Sequence, residues 1–512
     1  MGAGIGGLVA ALELSHAGYD VQVYERHAGP GGKMRTVPSD AGPVDAGPTV
    51  FTMRPVFEAL FDRVGLSLDA ELTLTPCDVL ARHHWPDGST LDLFADPRAS
   101  EEAVAAFAGG TEAQRFAAFT KRANLLFDAF DAPVMRHPTP TALSVTRAVA
   151  PRAAELLPAM APLSTLWSAL GRQFTDPRLR QLFGRYATYV GGSPLLSPAI
   201  LMLIWASEQR GVWRVTGGMH QLALTLERLA RAQGATFHYH SGVARVATAQ
   251  GAISGLSLET GQTVRASKVL FNGDPAALGA GLLGPEGAGA APSLRAKDRA
   301  LSAWVWTWAS EVSGFPLSHH TVFFGRSSVD EFSDLFQHRR TPRDPTLYIC
   351  AQDRPGATGA ERLQIIMNAP ADGDHHIPSQ QEKEQCQTIV SQKLAEAGLT
   401  LSTSPTGLTT PDRFASLFPG TGGALYGAHP HGPLKTFSRP TARSRIRGLY
   451  LAGGGCHPGP GVPMAALSGR HAAAAIMADH ALTSASIPMA TPGGISTGSA
   501  TMAATASRSS VS

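Results

Sequence analysis

The chain has 512 residues, too many for one hydrophobic core, so two or more domains are expected. Charged residues make up 16% of it, below the usual quarter or so, and the formal net charge is +3. That balance is too small to argue for a nucleic-acid partner, and no apolar run reaches the roughly twenty residues that a membrane-spanning helix needs.

Gly2-Ala3-Gly4-Ile5-Gly6-Gly7 opens the chain, and Leu8, Ala11, Leu12 and Leu14 continue it as a helix with an apolar face. Gly2 suits a tight turn into that helix. Gly4 lets a pyrophosphate approach the backbone, and Gly7 lets the helix pack closely on a sheet. The N–H groups at the helix start would hold the phosphates. Val21–Tyr24 reads as a strand, and Glu25 stands at its end, where a carboxylate accepts hydrogen bonds from an adenosine ribose. Gly31-Gly32-Lys33-Met34-Arg35 and Asp45-Ala46-Gly47-Pro48 follow. The glycine turn should itself follow a strand, yet only Met1 precedes it, so the true start is expected upstream.

Val56–Val64 reads as a helix. Residues 79–93 form a hairpin about Pro86-Asp87-Gly88, and 97–130 are helical, with Phe107, Phe116, Phe119 and Phe127 expected in a core. Residues 141–171 are apolar, broken by Pro151, Pro158 and Pro162, and flanked by Arg147 and Arg152. This segment reads either as a bilayer-docking element with Trp167 at headgroup depth or as a proline-kinked helix inside a substrate domain. Arg185, Tyr186 and Tyr189 precede Gly191-Gly192-Ser193-Pro194 and either line a cavity or pack internally.

From residue 210 the texture returns to α/β: a helix over Leu222–Ala232, strands near 236–246, a 253–265 hairpin and a strand at Lys268–Asn272. Residues 280–298 are Gly/Ala/Pro-rich and expected to be a mobile loop. Trp304, Trp306 and Trp308 share one face of a strand and are read as a cavity wall, with a sheet–helix core as the alternative. His319-His320 and His375-His376 are expected on exposed loops. Gly448–Ala452 reads as a buried parallel strand. It runs into Gly453–Met464 and a helix over 465–480, a second strand–glycine–helix cradle. Cys77, Cys350, Cys386 and Cys456 lie far apart without metal-ligand spacing. No metal or disulfide is expected, and a reducing, cytoplasmic setting fits.

Glu25–Arg35 with Asp45–Pro48 resembles the second flavin-contacting segment of the amine-oxidase and carotenoid-desaturase flavoproteins. Gly191–Pro194, Thr216-Gly217-Gly218-Met219 and Ala452–Met464 are similar to bacterial carotenoid desaturases. Arg185–Pro194, Phe271–Pro275 and Phe418–Gly427 are similar, more narrowly, to the 1-hydroxycarotenoid 3,4-desaturases. Cys456 stands where that family usually has threonine.

The resemblance implies an α/β fold: a Rossmann-type FAD-binding domain with an inserted α+β substrate domain. FAD-binding parts are expected at 1–75, 210–280 and 431–481, substrate-domain parts at 76–209 and 281–430, and a disordered tail at 482–512. FAD would contact Gly2, Gly4, Gly7, Glu25, Gly32, Lys33, Arg35, Val243, Gly454, His457, Val462 and Met464. The implied reaction is C3–C4 desaturation of an acyclic 1-hydroxy carotenoid. The flavin accepts the hydride, since a polyene's C–H bonds are not acidic enough for a side-chain base.

Arg185, Tyr186 and Tyr189 are the substrate-site candidates, and no general base is assigned. The expected partners are the carotenoid, a membrane surface touched peripherally at the inner or photosynthetic membrane, and a second copy of the chain. Rival readings are a phytoene desaturase of the same architecture and a lipid-binding escort like the GDP-dissociation inhibitors, which would carry no flavin.

Overall fold

The computed structural model describes residues 1–432 and 435–485, so most of the expected tail lies outside the described residues. The first helix, Ile5–His16, is buried along almost its whole length. It packs against both the long C-terminal helix Val462–Ala485 and the helix His220–Ala232. Two glycines set how close it comes. A Cβ on Gly7 would lie 2.2 Å from the Gly2 carbonyl oxygen, and one on Gly469 would lie 2.2 Å from that of Gly6.

Two parallel pairs flank this helix: Gln22–Tyr24 with Thr236–His238, and Val269–Phe271 with Leu449–Leu451. The first two residues lie between them. The Met1 amine donates to Leu270 O (2.7 Å), Asn272 N donates to Met1 O (2.9 Å), and Gly2 N donates to Tyr24 O (2.8 Å). Glu25, Asn272 and Gly453 therefore follow the carboxyl ends of three strands, the edge where open α/β sheets bind ligands.

A seven-stranded sheet forms the second layer. Its order is Gly407–Thr409, Ser302–Ser310, Glu361–Ala369, Leu347–Ala351, His320–Phe323, Val79–His84, Thr90–Phe94. The stretches on either side of the second α/β portion thus build one sheet. They join through the parallel pairing of His320–Phe323 with Val79–His84. Trp304, Trp306 and Trp308 do share a face, but that face packs on Cys386, Val390 and Leu394 of the helix Gln380–Glu396. The tryptophans are sheet–helix core, not a cavity wall. Indoles on a strand fill the space under a covering helix as readily as they line a ligand.

The other side of the sheet, through Val322, Tyr348 and Cys350, meets a helical layer cored by Phe116, Phe119, Phe174, Phe183 and Trp205. Residues 141–171 cross this layer as Ala142–Val149, Ala153–Met160 and Leu166–Gln173, with Pro158 inside the middle helix. Val145, Leu156 and Leu170 point inward, whereas Leu143, Leu157 and Leu163 are exposed. Trp167 is half-buried, with Arg180 4.0 Å over its ring, so it does not stand out from the surface as an anchor would. The 280–298 stretch is not free either. Leu283 and Ala290 are buried against Val246 and Leu278.

Trp306 is 0% exposed. Trp306→Ala is expected to cost about 3–5 kcal/mol in chemical denaturation, whereas Leu163→Ala should stay within about 0.5 kcal/mol.

Candidate active site

The helix Ile5–His16 begins without a side-chain cap and without an acid in its first turn, so its leading N–H groups are left for an anion. Gly2 holds φ +92°, a left-handed conformation that favours glycine. A Cβ on Gly4 would meet Asn272 Nδ2 at 2.8 Å, and one on Gly6 would meet Asn272 Oδ1 at 2.6 Å and Gly453 N at 3.0 Å. Asn272 Oδ1 is buried without a hydrogen-bond partner. The buried Glu25 carboxylate accepts from Ala3 N (2.7 Å) and His27 N (2.9 Å), which fixes it beside the glycine turn. Ser241 N donates to Glu25 O (2.8 Å), so Val243, at the start of the next strand, sits close by.

Gly31 N donates to Ala3 O (2.8 Å), and Gly32 comes so near Gly4 that a Cβ on it would lie 3.2 Å from Gly4 Cα. Lys33 Nζ donates to Leu425 O (2.6 Å). Burial lowers the ammonium's pKa, and Asp274 partly restores it. Arg35 donates to Thr409 Oγ1 (2.5 Å) and lies over the Phe414 ring. Asp45 accepts from Met219 N (2.6 Å) and His220 N (3.3 Å), tying this loop to the start of the helix His220–Ala232.

In the closing cradle Arg439 donates to the carbonyls of Gly454 (3.2 Å), Tyr426 (3.1 Å) and Ala428 (2.8 Å). Val462 and Met464 pack with the cluster that holds Ile5 and Leu8. Cys456 is fully buried beside Val269 and Phe271, a place that a small apolar thiol fills. The His457 ring is engaged elsewhere: Nε2 lies 2.8 Å from His137 O, and the ring stacks on His471.

The uncapped helix start, the glycines without space for a Cβ and the half-buried cations Lys33 and Arg439 fit a pyrophosphate-bearing dinucleotide. Asn272, Asp274 and Arg439 carry no assigned role in the sequence reading. The signal for Asn272 was its place at the end of a strand in the parallel half.

A second polar group lies under the helical layer. Arg185, Tyr186 and Tyr189 do come together, around a residue that no local pattern marks, Glu208. Tyr186 donates to Glu208 Oε2 (2.6 Å) and Tyr189 to Glu208 Oε1. Burial raises the Glu208 pKa; burial and then the carboxylate raise those of both phenols. Arg185 lies 5.5 Å over the Tyr348 ring. The Tyr348 hydroxyl is 2.6 Å from His320 Nδ1 and 2.7 Å from Thr49 Oγ1.

His320 is 2% exposed and His319 half-buried, so this pair is not on an exposed loop, although His375 and His376 are. His320 begins a central strand of the sheet, and burial lowers its pKa well below the usual range. These groups, with Val50, Leu80, Leu182 and Val322, line a cavity of about 20 Å³, room for a water molecule and not for a polyene.

The flavin containing amine oxidoreductase family model matches residues 5–477. The chain is 51% identical over 484 residues to the hydroxyneurosporene desaturase of Cereibacter sphaeroides, covering 94% of this chain and 97% of that one. It is 46% identical over 508 residues to the hydroxyneurosporene desaturase of Rubrivivax gelatinosus, covering 98% and 97%. Among solved structures, a putrescine oxidase triple mutant superposes with TM-score 0.59 at 16% identity, covering 93% of this chain and 98% of that one, a likeness of fold.

Gly4→Ala would put a methyl where a phosphate approaches, while the facing Asn272 amide, the end of a side chain, can swing aside. The variant is expected to purify folded, with flavin affinity down at least about tenfold, roughly 1.4 kcal/mol, by absorbance titration. A variant as yellow as its parent would contradict the assignment.

Proposed function

The chain belongs to the flavin containing amine oxidoreductase family and is an FAD-dependent carotenoid desaturase, and we propose that it inserts the C3–C4 double bond of an acyclic 1-hydroxy carotenoid. The observation that carries the finer reading is a buried polar cluster set into an otherwise apolar helical layer, beside the loop that leads from the glycine turn. A plain hydrocarbon end would leave Arg185 Nε and His320 Nε2 with nothing to meet.

FAD, when bound, supplies the two-electron acceptor that non-acidic C–H bonds require. The chain's own residues do the rest. The Gly2–Gly7 turn, Glu25 and Gly453–Met464 would hold the nucleotide. Phe116, Phe119, Phe183 and Trp205 make the layer over the polar cluster a packed apolar core. Thr49, in the loop between Asp45 and the helix Arg54–Arg63, links the cofactor side to the polar cluster through Tyr348.

The substrate dissolves in lipid, so the enzyme must meet a bilayer. Among the described residues no helix is long and apolar enough to cross one. Leu143, Leu157 and Leu163 stand outward at 59%, 56% and 101% exposure, with Arg147 and Arg152 exposed beside them. This patch is the docking face of a peripheral enzyme on the cytoplasmic side of the inner or photosynthetic membrane.

Expression in cells that accumulate 1-hydroxyneurosporene should red-shift the extracted pigment; an unchanged spectrum with flavin-loaded enzyme would overturn the reading. Leu157→Asp with Leu163→Asp should lower flotation with anionic liposomes by about tenfold. Equal flotation of the folded double variant would remove the patch from the docking face. Leu156 is unsuitable for this test because it is buried.

A further inference from the structure

The cavity beneath the helical layer contains two groups that the protein leaves unsatisfied. Arg185 Nε and His320 Nε2 are both buried without a partner, and both residues line the same small space. A donor and a group able to accept, facing one cavity, match a single hydroxyl, which can receive one hydrogen bond and give another. Other polar groups of the lining have partners, His83 among them, its Nδ1 lying 3.2 Å from Leu91 O. Glu208 is held by two phenols, and Tyr348 lies between His320 and Thr49.

We propose that this cavity, with room for one oxygen, receives the tertiary hydroxyl alone while the helical layer parts to seat the rest of the polyene, with Arg185 and His320 as the residues that read it. The proposal rests on the carotenoid reading above. The substrate oxygen accepts from Arg185 Nε–H, and its proton is donated to His320 Nε2. His320 then carries its own proton on Nδ1 and donates it to the Tyr348 oxygen, and Tyr348 donates to Thr49 Oγ1. Burial keeps the imidazole neutral, as this chain of donors needs. Glu208 and the two phenols border the same cavity, and the Arg185 charge partly offsets the rise that burial gives the Glu208 pKa.

Thr49 lies four residues past Asp45, whose carboxylate caps the helix beside the glycine turn. The hydroxyl's chain of donors therefore ends on the loop that follows Asp45. Only bonds near that end of the polyene can be presented for reaction. Position along a repetitive chain is otherwise hard to specify, because its carbons offer no polar mark. A site built around a hydroxyl rejects the analogue that lacks it, because its buried polar groups are then left unpaired.

The test measures kcat/KM of the flavin-loaded enzyme with 1-hydroxyneurosporene and with neurosporene, which lacks the hydroxyl. Wild type should prefer the hydroxylated polyene by about a hundredfold or more. His320→Leu should collapse that preference to within about threefold, and His320→Gln, which keeps a polar atom near Nε2, should restore about a tenth of it. Flavin content and melting temperature report folding. Should His320→Leu lose its flavin, Tyr348→Phe, which breaks only the middle of the chain, makes the same comparison.

A wild type without preference, or variants that lose both substrates in parallel, would overturn the hydroxyl subsite while leaving the enzyme a carotenoid desaturase. A wild type that turns over neither polyene would instead remove the reading on which the subsite rests.

Discussion

Backbone is packed against backbone in this molecule where no side chain can intervene. Gly4, Gly6 and Gly7 crowd Asn272, Gly6 faces both Gly453 and Gly469, and Gly47 lies so near Lys33 that a Cβ would reach its carbonyl oxygen at 1.9 Å. These contacts join segments from the start, middle and end of the chain. A side chain at Gly6, Gly7 or Gly469 would meet backbone and push the first helix off its neighbours, whereas at Gly4 it would meet only the movable Asn272 amide. It would also cover the N–H groups that an anion needs. The same absence of side chains thus brings the parts together and leaves the nucleotide site open.

The parallel half was legible because its signals are local. A glycine turn, an acid at a strand end and a strand leading into glycines each lie within a few residues, and Glu25 and Gly453 stand at the strand ends where this reading put them. The substrate half was not, because its decisive contacts are long-range. Glu208 meets Tyr186 and Tyr189 from the far side of a helical turn and a glycine break, and His320 owes its burial to Tyr348 and to a strand from near residue 80. A pair of adjacent histidines gives no hint of that. The three tryptophans show the limit of periodicity: spacing fixes that they share a face and says nothing of what covers it. Leu156 and Leu157 are neighbours with opposite fates, which the segment's overall apolarity could not separate.

Two buried carboxylates illustrate how the fold meets the cost of removing charge from water. Asp45 is met by backbone N–H groups at a helix start, an arrangement that serves architecture. Glu208 is met by two phenols, groups that can turn. Backbone donors lock a carboxylate into one pose, whereas hydroxyl donors leave the surrounding cavity able to adjust when a guest arrives.

The pairing of His320–Phe323 with Val79–His84 has a consequence for how the polypeptide is made. The edge hairpin emerges early from the ribosome, yet the strand that it pairs with is synthesised only after the whole second α/β portion. Until then Leu80, Leu91, Leu93 and the phenylalanines above them lack part of their covering. Such non-local pairing slows folding and lengthens the period in which greasy surface is open to aggregation. Biogenesis of this enzyme is therefore a matter of shielding a half-built sheet, and chaperone supply and translation speed should govern its yield more than the stability of the finished fold does.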